Sequence, residues 1–268
     1  MKTAVIVTTY NRPDALAAVL GGFFDQTTLE FELLVADDGS RDDTRALVEN
    51  LAARTPFPLR HVWQDDQGFR AGAARNRAVA HTQADYLIFV DGDCIPARHF
   101  VQQHCALAEV GYFLSGSRVL LSESFTQQVL APLPIQHWHA SRWLRAWARR
   151  DVNRLLPLLT LPDGSWRKKN PNKWQGVKTC NLSLWRADFM RVNGFDESYS
   201  GWGLEDSDLV VRLLHAGVSH KSARFAAPVF HLWHRENDRS RLDENQKRLE
   251  ELIDSECFEA RVGVTQYS

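Results

Sequence analysis

Asp85-Tyr86-Leu87-Ile88-Phe89-Val90-Asp91-Gly92-Asp93 decides the fold of this chain. Residues 85–90 are an apolar run of the length of a buried strand, and the run stops at two carboxylates separated by a glycine. Carboxylates at the carboxyl end of a buried parallel strand lie where open α/β sheets bind their ligands. Two hard oxygen donors one residue apart suit Mg²⁺ or Mn²⁺ carrying a substrate diphosphate. Asp-Gly is also ordinary turn chemistry, so the pair alone leaves both readings open.

Outward from this stretch the chain alternates strands and helices. Ala4-Val5-Ile6-Val7-Thr8 reads as a first buried strand, followed by the loop Thr9-Tyr10-Asn11-Arg12-Pro13. Pro13 suits the first position of a helix that carries Leu16, Val19, Leu20 and Phe23 at helical spacing. Residues 31–36 form a second strand ending in Asp37-Asp38-Gly39-Ser40. Ser40 and Asp43 have the spacing of a capping box for a helix running to about Ala53. Arg60-His61-Val62-Trp63 is a short third strand, and Gly68 through His81 a Gly- and Ala-rich turn and helix. Such alternation predicts a parallel sheet with right-handed crossovers, a Rossmann-like half. The loops at Thr8–Arg12, Asp37–Ser40 and Asp91–Asp93 then share one sheet edge and frame a crevice. There is no G-x-G-x-x-G after the first strand and no Walker loop, which argues against a dinucleotide dehydrogenase and a P-loop NTPase. A mononucleotide joined to another group fits better. Asp37 or Asp38 can accept the N–H of a uracil or similar base. Arg12 and Arg75 can face phosphate or base, though each is equally readable as a solvated helix face.

With 268 residues, 44% of them hydrophobic, the chain can bury the core of one large α/β domain. The expected organisation is a nucleotide-binding half over 1–120, a helical insert over 121–175 and a catalytic half with a last helix over 176–268. A net charge of −1 makes no case for nucleic acid as a partner. That average hides a segregation: residues 131–178 hold ten Lys/Arg against two acids, together with five of the nine tryptophans. Cys94, Cys105, Cys180 and Cys257 show no disulfide-framework spacing, so a reducing, cytoplasmic compartment is expected. The short apolar run before Tyr10 is not a signal peptide, and no stretch approaches the ~20 residues of a membrane span.

The segments Val5-Ile6-Val7-Thr8-Thr9-Tyr10-Asn11-Arg12, Val35-Ala36-Asp37-Asp38-Gly39-Ser40, Arg75-Asn76 and Asp91-Gly92-Asp93 resemble a family 2 glycosyltransferase of the GT-A fold. The second half carries the resemblance further. Gly176 through Arg186 leads to Asn193-Gly194-Phe195-Asp196-Glu197, then Gly201-Trp202-Gly203-Leu204-Glu205-Asp206-Ser207-Asp208, then Phe230-His231-Leu232-Trp233-His234. That succession is similar to the galactosyltransferase-like region of chondroitin-polymerase-type and β-galactosyltransferase-type enzymes. It covers residues 1–120 and 176–235, and its specificity lies in order and spacing rather than in any single motif.

The resemblance implies inverting transfer of a sugar from a nucleotide diphosphate, usually a UDP-sugar, with Mn²⁺ or Mg²⁺ as cofactor. It implies nucleotide-binding roles for Thr8, Tyr10, Arg12, Asp37, Asp38 and Arg75. It matches Asp91, Gly92 and Asp93 to an Asp-x-Asp motif whose second carboxylate binds the metal, completed by His231 or His234. Asp206 is implied as the base that activates the acceptor hydroxyl, with Glu205 orienting the acceptor, Trp202 stacking on a sugar ring and Asn181 bonding a sugar hydroxyl. The chemistry is coherent: expelling a diphosphate builds negative charge that a cation relieves, and a hydroxyl nucleophile needs a base within reach. An acidic first helical turn over Glu205–Asp208 is the plainer alternative.

The insert raises a separate expectation. Trp143 and Trp147 share a helix face, with Arg142, Arg145 and Arg149 around the same turns, a pattern of interfacial amphipathic helices. It predicts contact between residues 136–160 and anionic membrane lipid or a lipid-linked phosphorylated glycan, as in lipopolysaccharide-type acceptors, peripherally on the inner face of a plasma membrane. Inward packing of the tryptophans is the alternative. Two other functional classes remain to be weighed: a sugar-1-phosphate nucleotidyltransferase, which would want a Gly-rich basic loop after the first strand, and a non-catalytic glycan-binding protein on a transferase fold.

Overall fold

The computed structural model describes residues 1–267 apart from Pro132, Ser200 and residues 236–239. The first half follows the expected alternation: β1 (Thr3–Thr9), α1 (Pro13–Phe24), β2 (Glu32–Asp37), α2 (Asp42–Ala52), β3 (Leu59–Trp63), α3 (Ala71–Ala80) and β4 (Tyr86–Asp91). The four strands are parallel in the order β3-β2-β1-β4. All of β1, and β2 and β4 but for one end residue each, are buried, because helices cover both faces and leave no solvent side for polar alternation. α1 opens on Pro13 as expected and buries Leu16, Val19, Leu20 and Phe23. Each such side chain contributes roughly 1.5–3 kcal/mol on leaving water. One local expectation is corrected: Ser40 does not cap α2. Arg41 holds the cap position without a side-chain bond, and Ser40 Oγ accepts from Asn11 N, tying the first loop to the second.

Beyond β4 come β5 (Cys94–Pro96), α4 (Phe100–Leu107), β6 (Tyr112–Ser115), β7 (Arg118–Leu120), α5 (Glu123–Leu130) and α6 (Ala140–Ala148). The remaining elements are β8 (Leu182–Trp185), α7 (Arg186–Arg191), α8 (Glu205–His215), β9 (Ser219–Ser222), β10 (Val229–His231) and α9 (Leu242–Ile253). β8 joins β4 antiparallel, β6 pairs antiparallel with β8, and β9 pairs parallel with β6. The sheet thus reads β3-β2-β1-β4-β8-β6-β9, α/β and mostly parallel with flanking helices, as the GT-A resemblance implied. Reversal at β8 brings its first residues, and the last residues of β6 and β9, to the edge where β1, β2 and β4 end.

A three-stranded sheet, β5-β10-β7, sits against that edge. Its register pairs His231 with Cys94, and Leu232 N donates to the carbonyl of Asp93 at 2.8 Å. The insert is less helical than expected. Between α6 and β8 it contains only short 3-10 turns, at Leu156–Leu158, Ser165–Lys168 and Thr179–Asn181. Trp143 is buried and stacks on Phe230 with centroids 4.7 Å apart, and Trp138 packs on both Trp143 and Phe125. Trp147, by contrast, is 52% exposed, so the two tryptophans do not share an environment. α9 packs on α8 and supports the loop before it, since Asn245 Nδ2 donates to the Gly203 carbonyl.

Candidate active site

Strand β4 delivers Asp91 to the sheet edge, and Gly92 lets the chain turn there. A Cβ on Gly92 would sit 2.8 Å from the Thr8 carbonyl, which already accepts Gly92 N–H at 2.7 Å. Arg75, buried on α3, reaches across the end of β1. Its Nε donates to Thr8 Oγ1 at 2.9 Å, its Nη2 to Asp91 at 3.0 Å and its Nη1 to Glu205 at 3.4 Å. One guanidinium therefore joins the Asp-x-Asp stretch to the first turn of α8, whose Glu205 lies 130 residues after Arg75 itself. The ring of Phe195 lies under it at 5.2 Å. Three of the five N–H donors of Arg75, expected to face phosphate or base, thus meet protein oxygens.

Three carboxylates, Asp91, Glu205 and Asp206, gather around Arg75 and Lys178, and Asp93 lies beside Asp91. Lys178 Nζ lies 3.4 Å from Asp206, whose other oxygen accepts Ser207 N–H at 2.8 Å. Burial, and then the neighbouring Asp206, push the Glu205 carboxyl above its ordinary pKa against the pull of Arg75. Burial likewise raises Asp91, Arg75 opposing and Asp93 adding to the rise. Burial works against the charge on Arg75, but Asp91, Glu205 and Asp206 outweigh it and hold its pKa above the usual value. The last acid of the helical turn, Asp208, has a structural task. It binds Arg212, whose Nη1 donates to the carbonyls of Val192 and Gly194.

His231 and His234 both face Asp93, with Nε2 to Oδ2 separations of 3.8 and 3.3 Å. Ligands of one octahedral ion at about 2.1 Å each lie about 3 Å apart, so this donor set fits a divalent cation. Cys94 donates to the other Asp93 oxygen at 3.4 Å, and burial keeps its thiol protonated, so it suits a positioning contact rather than a ligand for a hard ion. Burial lowers the His231 pKa, which leaves its imidazole neutral and able to coordinate. Carboxylates outnumber cations here, a surplus that a divalent ion would neutralise. Sequence spacing left His231 and His234 as alternatives; the structure brings both to Asp93.

The residues expected to bind the nucleotide divide. Asp37 is fully buried, accepting from Ser40 N and pairing with His61 at 2.7 Å, so it shapes the loop. Asp38 accepts from Gln64 Nε2 and Arg70 N, both at 2.7 Å, and burial raises its pKa. Tyr10 is 47% exposed, its hydroxyl donating to Asp66, and Arg12 pairs with Asp14. Thr8 is spanned by Arg75, and the neighbouring Thr9 Oγ1 is buried without a hydrogen-bond partner. Trp202, expected to stack on a sugar, is half-buried in the loop before α8. A cavity of about 170 Å³ lies between that loop, Glu205 and the start of α3.

Asn181 is a correction. It is 2% exposed; Nδ2 donates to the carbonyls of Ser117 and Ala227, and Oδ1 faces His104 Nε2 at 3.0 Å. No polar atom of its side chain is left for a sugar. His104, which the sequence did not single out, continues to Ser183 at 2.7 Å, and Ser183 to Tyr86 at 2.8 Å. With the Asn181 amide fixed by two carbonyls, Oδ1 must accept from His104 Nε2–H, and Nδ1 then accepts from Ser183. A lone histidine on a helix gave no signal of this buried chain.

The profile described as glycosyl transferase family 2 matches residues 4–165, and that described as the N-terminal domain of galactosyltransferase matches residues 165–235. Among curated proteins the chain is 34% identical, over 224 residues, to validoxylamine A glucosyltransferase of Streptomyces hygroscopicus subsp. jinggangensis, covering 80% of this chain and 52% of that protein. It thus spans about half the length of this relative. S. aureus TarS 1-349 in complex with UDP-GlcNAc superposes with a TM-score of 0.67 at 16% identity, over 100% of this chain and 69% of that one. Mannosyltransferase PcManGT from Pyrobaculum calidifontis, in complex with GDP-Man and Mn²⁺, gives 0.60 at 17% identity over 87% and 57%. These two likenesses show the fold. With the family profile spanning more than half of its residues, the chain belongs to glycosyltransferase family 2.

Proposed function

We propose that this protein transfers a sugar, with inversion, from a nucleotide diphosphate, a UDP-sugar by preference, to a hydroxyl of a glycan or lipid-linked glycan in cell-surface polysaccharide synthesis. The observation that carries the reading is the Arg75 bridge. It holds Asp91, at the end of β4 and two residues before Asp93, and Glu205, next to Asp206 at the start of α8, on one guanidinium. Nucleotide sugars in the TarS and PcManGT structures, one with Mn²⁺, support a donor of this class.

Asp93 with His234 and His231 would hold Mn²⁺, or Mg²⁺, which when bound neutralises charge growing on the departing diphosphate. Arg75 fixes Asp91 and Glu205 so that neither swings into the reacting space. Asp38, Tyr10 and Arg12 line the nucleotide side. Trp202 offers its ring to a sugar face, and Glu205 orients the acceptor. Asp206 takes the proton from the acceptor hydroxyl as its oxygen bonds to the anomeric carbon and the bond to the diphosphate breaks on the opposite face. The loop after β1 carries no Gly-rich basic stretch, which disfavours nucleotidyl transfer.

Nucleotide release from a panel of UDP- and GDP-sugars with Mn²⁺ tests the reading. Asp206→Asn should lower kcat by about 10²–10⁴ with donor binding retained, and Asp93→Asn should lose Mn²⁺-dependent donor binding. Undiminished turnover by Asp206→Asn would refute the assignment of the base. Contact with anionic lipid through residues 136–160 is part of the proposal, supported by the exposed Leu144, Trp147, Leu156 and Leu159. Liposome flotation unchanged on replacing these four by serine would remove it. No helix among the described residues is long and apolar enough to cross a membrane.

A further inference from the structure

A cavity of about 540 Å³ opens on the sheet edge that carries the carboxylate cluster. Its walls are the ends of β6 and β9, the segment before β8, and part of the insert. Arg118, Arg154, Lys169, Lys173, Lys178 and Arg224 line it, and no Asp or Glu does. A seventh cation, Arg167, belongs to the wall: its buried guanidinium donates to the carbonyls of Ser222, Arg224 and Leu161. Among the described residues no carboxylate pairs with Arg118, Arg154, Lys169, Lys173 or Arg224. Arg154 donates only to the Arg118 carbonyl. The contrast with the neighbouring lysines is sharp, since Lys168 pairs with Glu109, and Lys221 with Glu109 and Asp163. Like charges crowded into a concave wall repel one another and focus a positive potential, which a bound anion relieves.

The cavity borders the candidate active site through two lining residues. Lys178 lines it and reaches Asp206 at 3.4 Å. Cys180, another lining residue, has its sulfur within 4.8 Å of an Asp91 oxygen. The space is within the roughly 300–1,000 Å³ of small-molecule sites, enough for a sugar ring with a charged substituent.

We infer that this cavity is the acceptor subsite and that it selects an acceptor bearing a phosphate close to its reactive hydroxyl; the inference rests on the transferase reading above. Phosphate is favoured over carboxylate by charge. A phosphomonoester carries about −1.5 to −2 at pH 7 and three acceptor oxygens, against one charge and two oxygens for a carboxylate, and the wall offers five cations that no carboxylate among the described residues pairs with. Arginine forks and lysine point charges together are suited to phosphate oxygens.

Trp166 lines the cavity and reports on it. The full-length protein would be titrated with glucose 6-phosphate, glucuronate and glucose, following tryptophan emission with Trp166→Phe as the blank. Glucose 6-phosphate should give a saturable change that weakens with added salt, and glucose none. Reversing charge in the double variant Lys173→Glu/Arg224→Glu should raise the apparent Kd for glucose 6-phosphate by at least about tenfold, while stabilisation by UDP with Mn²⁺ stays at the wild-type value and shows the variant folded. Equal affinity for glucose, an unchanged Kd in the double variant, or displacement of glucose 6-phosphate by UDP would overturn the subsite. Tighter binding of glucuronate would overturn the choice of phosphate. Absence of any UDP–Mn²⁺ stabilisation in the wild type would instead sink the transferase reading, whatever the cavity binds.

Discussion

Asn181 acts from inside the protein, where it joins the start of β8 to the loop before β7, to the segment before β10 and to His104. Gly116 must lack a side chain for this, because a Cβ there would fall 2.2 Å from Asn181 Oδ1. Asn181→Ala would strand two carbonyls and an imidazole N–H in the interior, a cost on the order of 3 kcal/mol. Urea unfolding should show that loss, with the KM for the donor unchanged; a wild-type midpoint would contradict the structural role. His104 carries a second prediction. Burial lowers its pKa from 6.5 to about 4, so the folded protein binds its proton later than the unfolded chain does. The stabilisation is present in full above the unfolded value and is lost as pH falls from about 6.5 toward 4, by as much as about 3 kcal/mol. His104→Gln should flatten Tm against pH across that window. An equally steep fall in the variant would place the titration elsewhere.

Among the elements, α6 shows how an amphipathic pattern can be satisfied by packing. Trp143 fills a slot against Phe230 and Trp138, directly behind the strand that presents His231. Trp143→Ala should cost about 3–5 kcal/mol, whereas Trp147→Ser, on the exposed side, should stay within about 0.5 kcal/mol. Chemical denaturation of the two variants checks the difference, and equal losses would contradict the assignment of faces. Strands β1, β2 and β4 were legible because each is a nearly continuous apolar run closed by polar residues. The small sheet was not: β5, β7 and β10 are three residues each, too short for any periodicity. Its register is what brings both histidines to Asp93, so the choice between them had no answer in spacing alone.

At the scale of the whole molecule, acids from β4, α8 and the strand-end loop between them converge at one sheet edge, with a basic wall beside them. The sequence named these acids through a family resemblance, and it located the excess of cations in the insert. It did not show that Arg75 would be spent on joining the two acid groups, because that depends on α3 packing across β1 with Phe195 beneath the guanidinium. Nor did the contact between Asp37 and His61 announce itself, since only the pairing of β2 with β3 sets them side by side. Removing the bridge should act at long range: Arg75→Met leaves Asp91 and Glu205 without their shared counter-ion. We expect it to weaken UDP binding in Mn²⁺ by at least about tenfold, read by calorimetry, with wild-type affinity as the contrary result.

The central claim is that Asp93 and the two imidazoles form the cation site of a nucleotide-sugar transferase. Crystals grown with UDP and Mn²⁺, measured at the manganese absorption edge, test it most directly. The account predicts one anomalous peak within coordination distance of Asp93 and of His231, His234 or both, touching the diphosphate of UDP. UDP bound with no peak there, or with manganese at other residues, would contradict it.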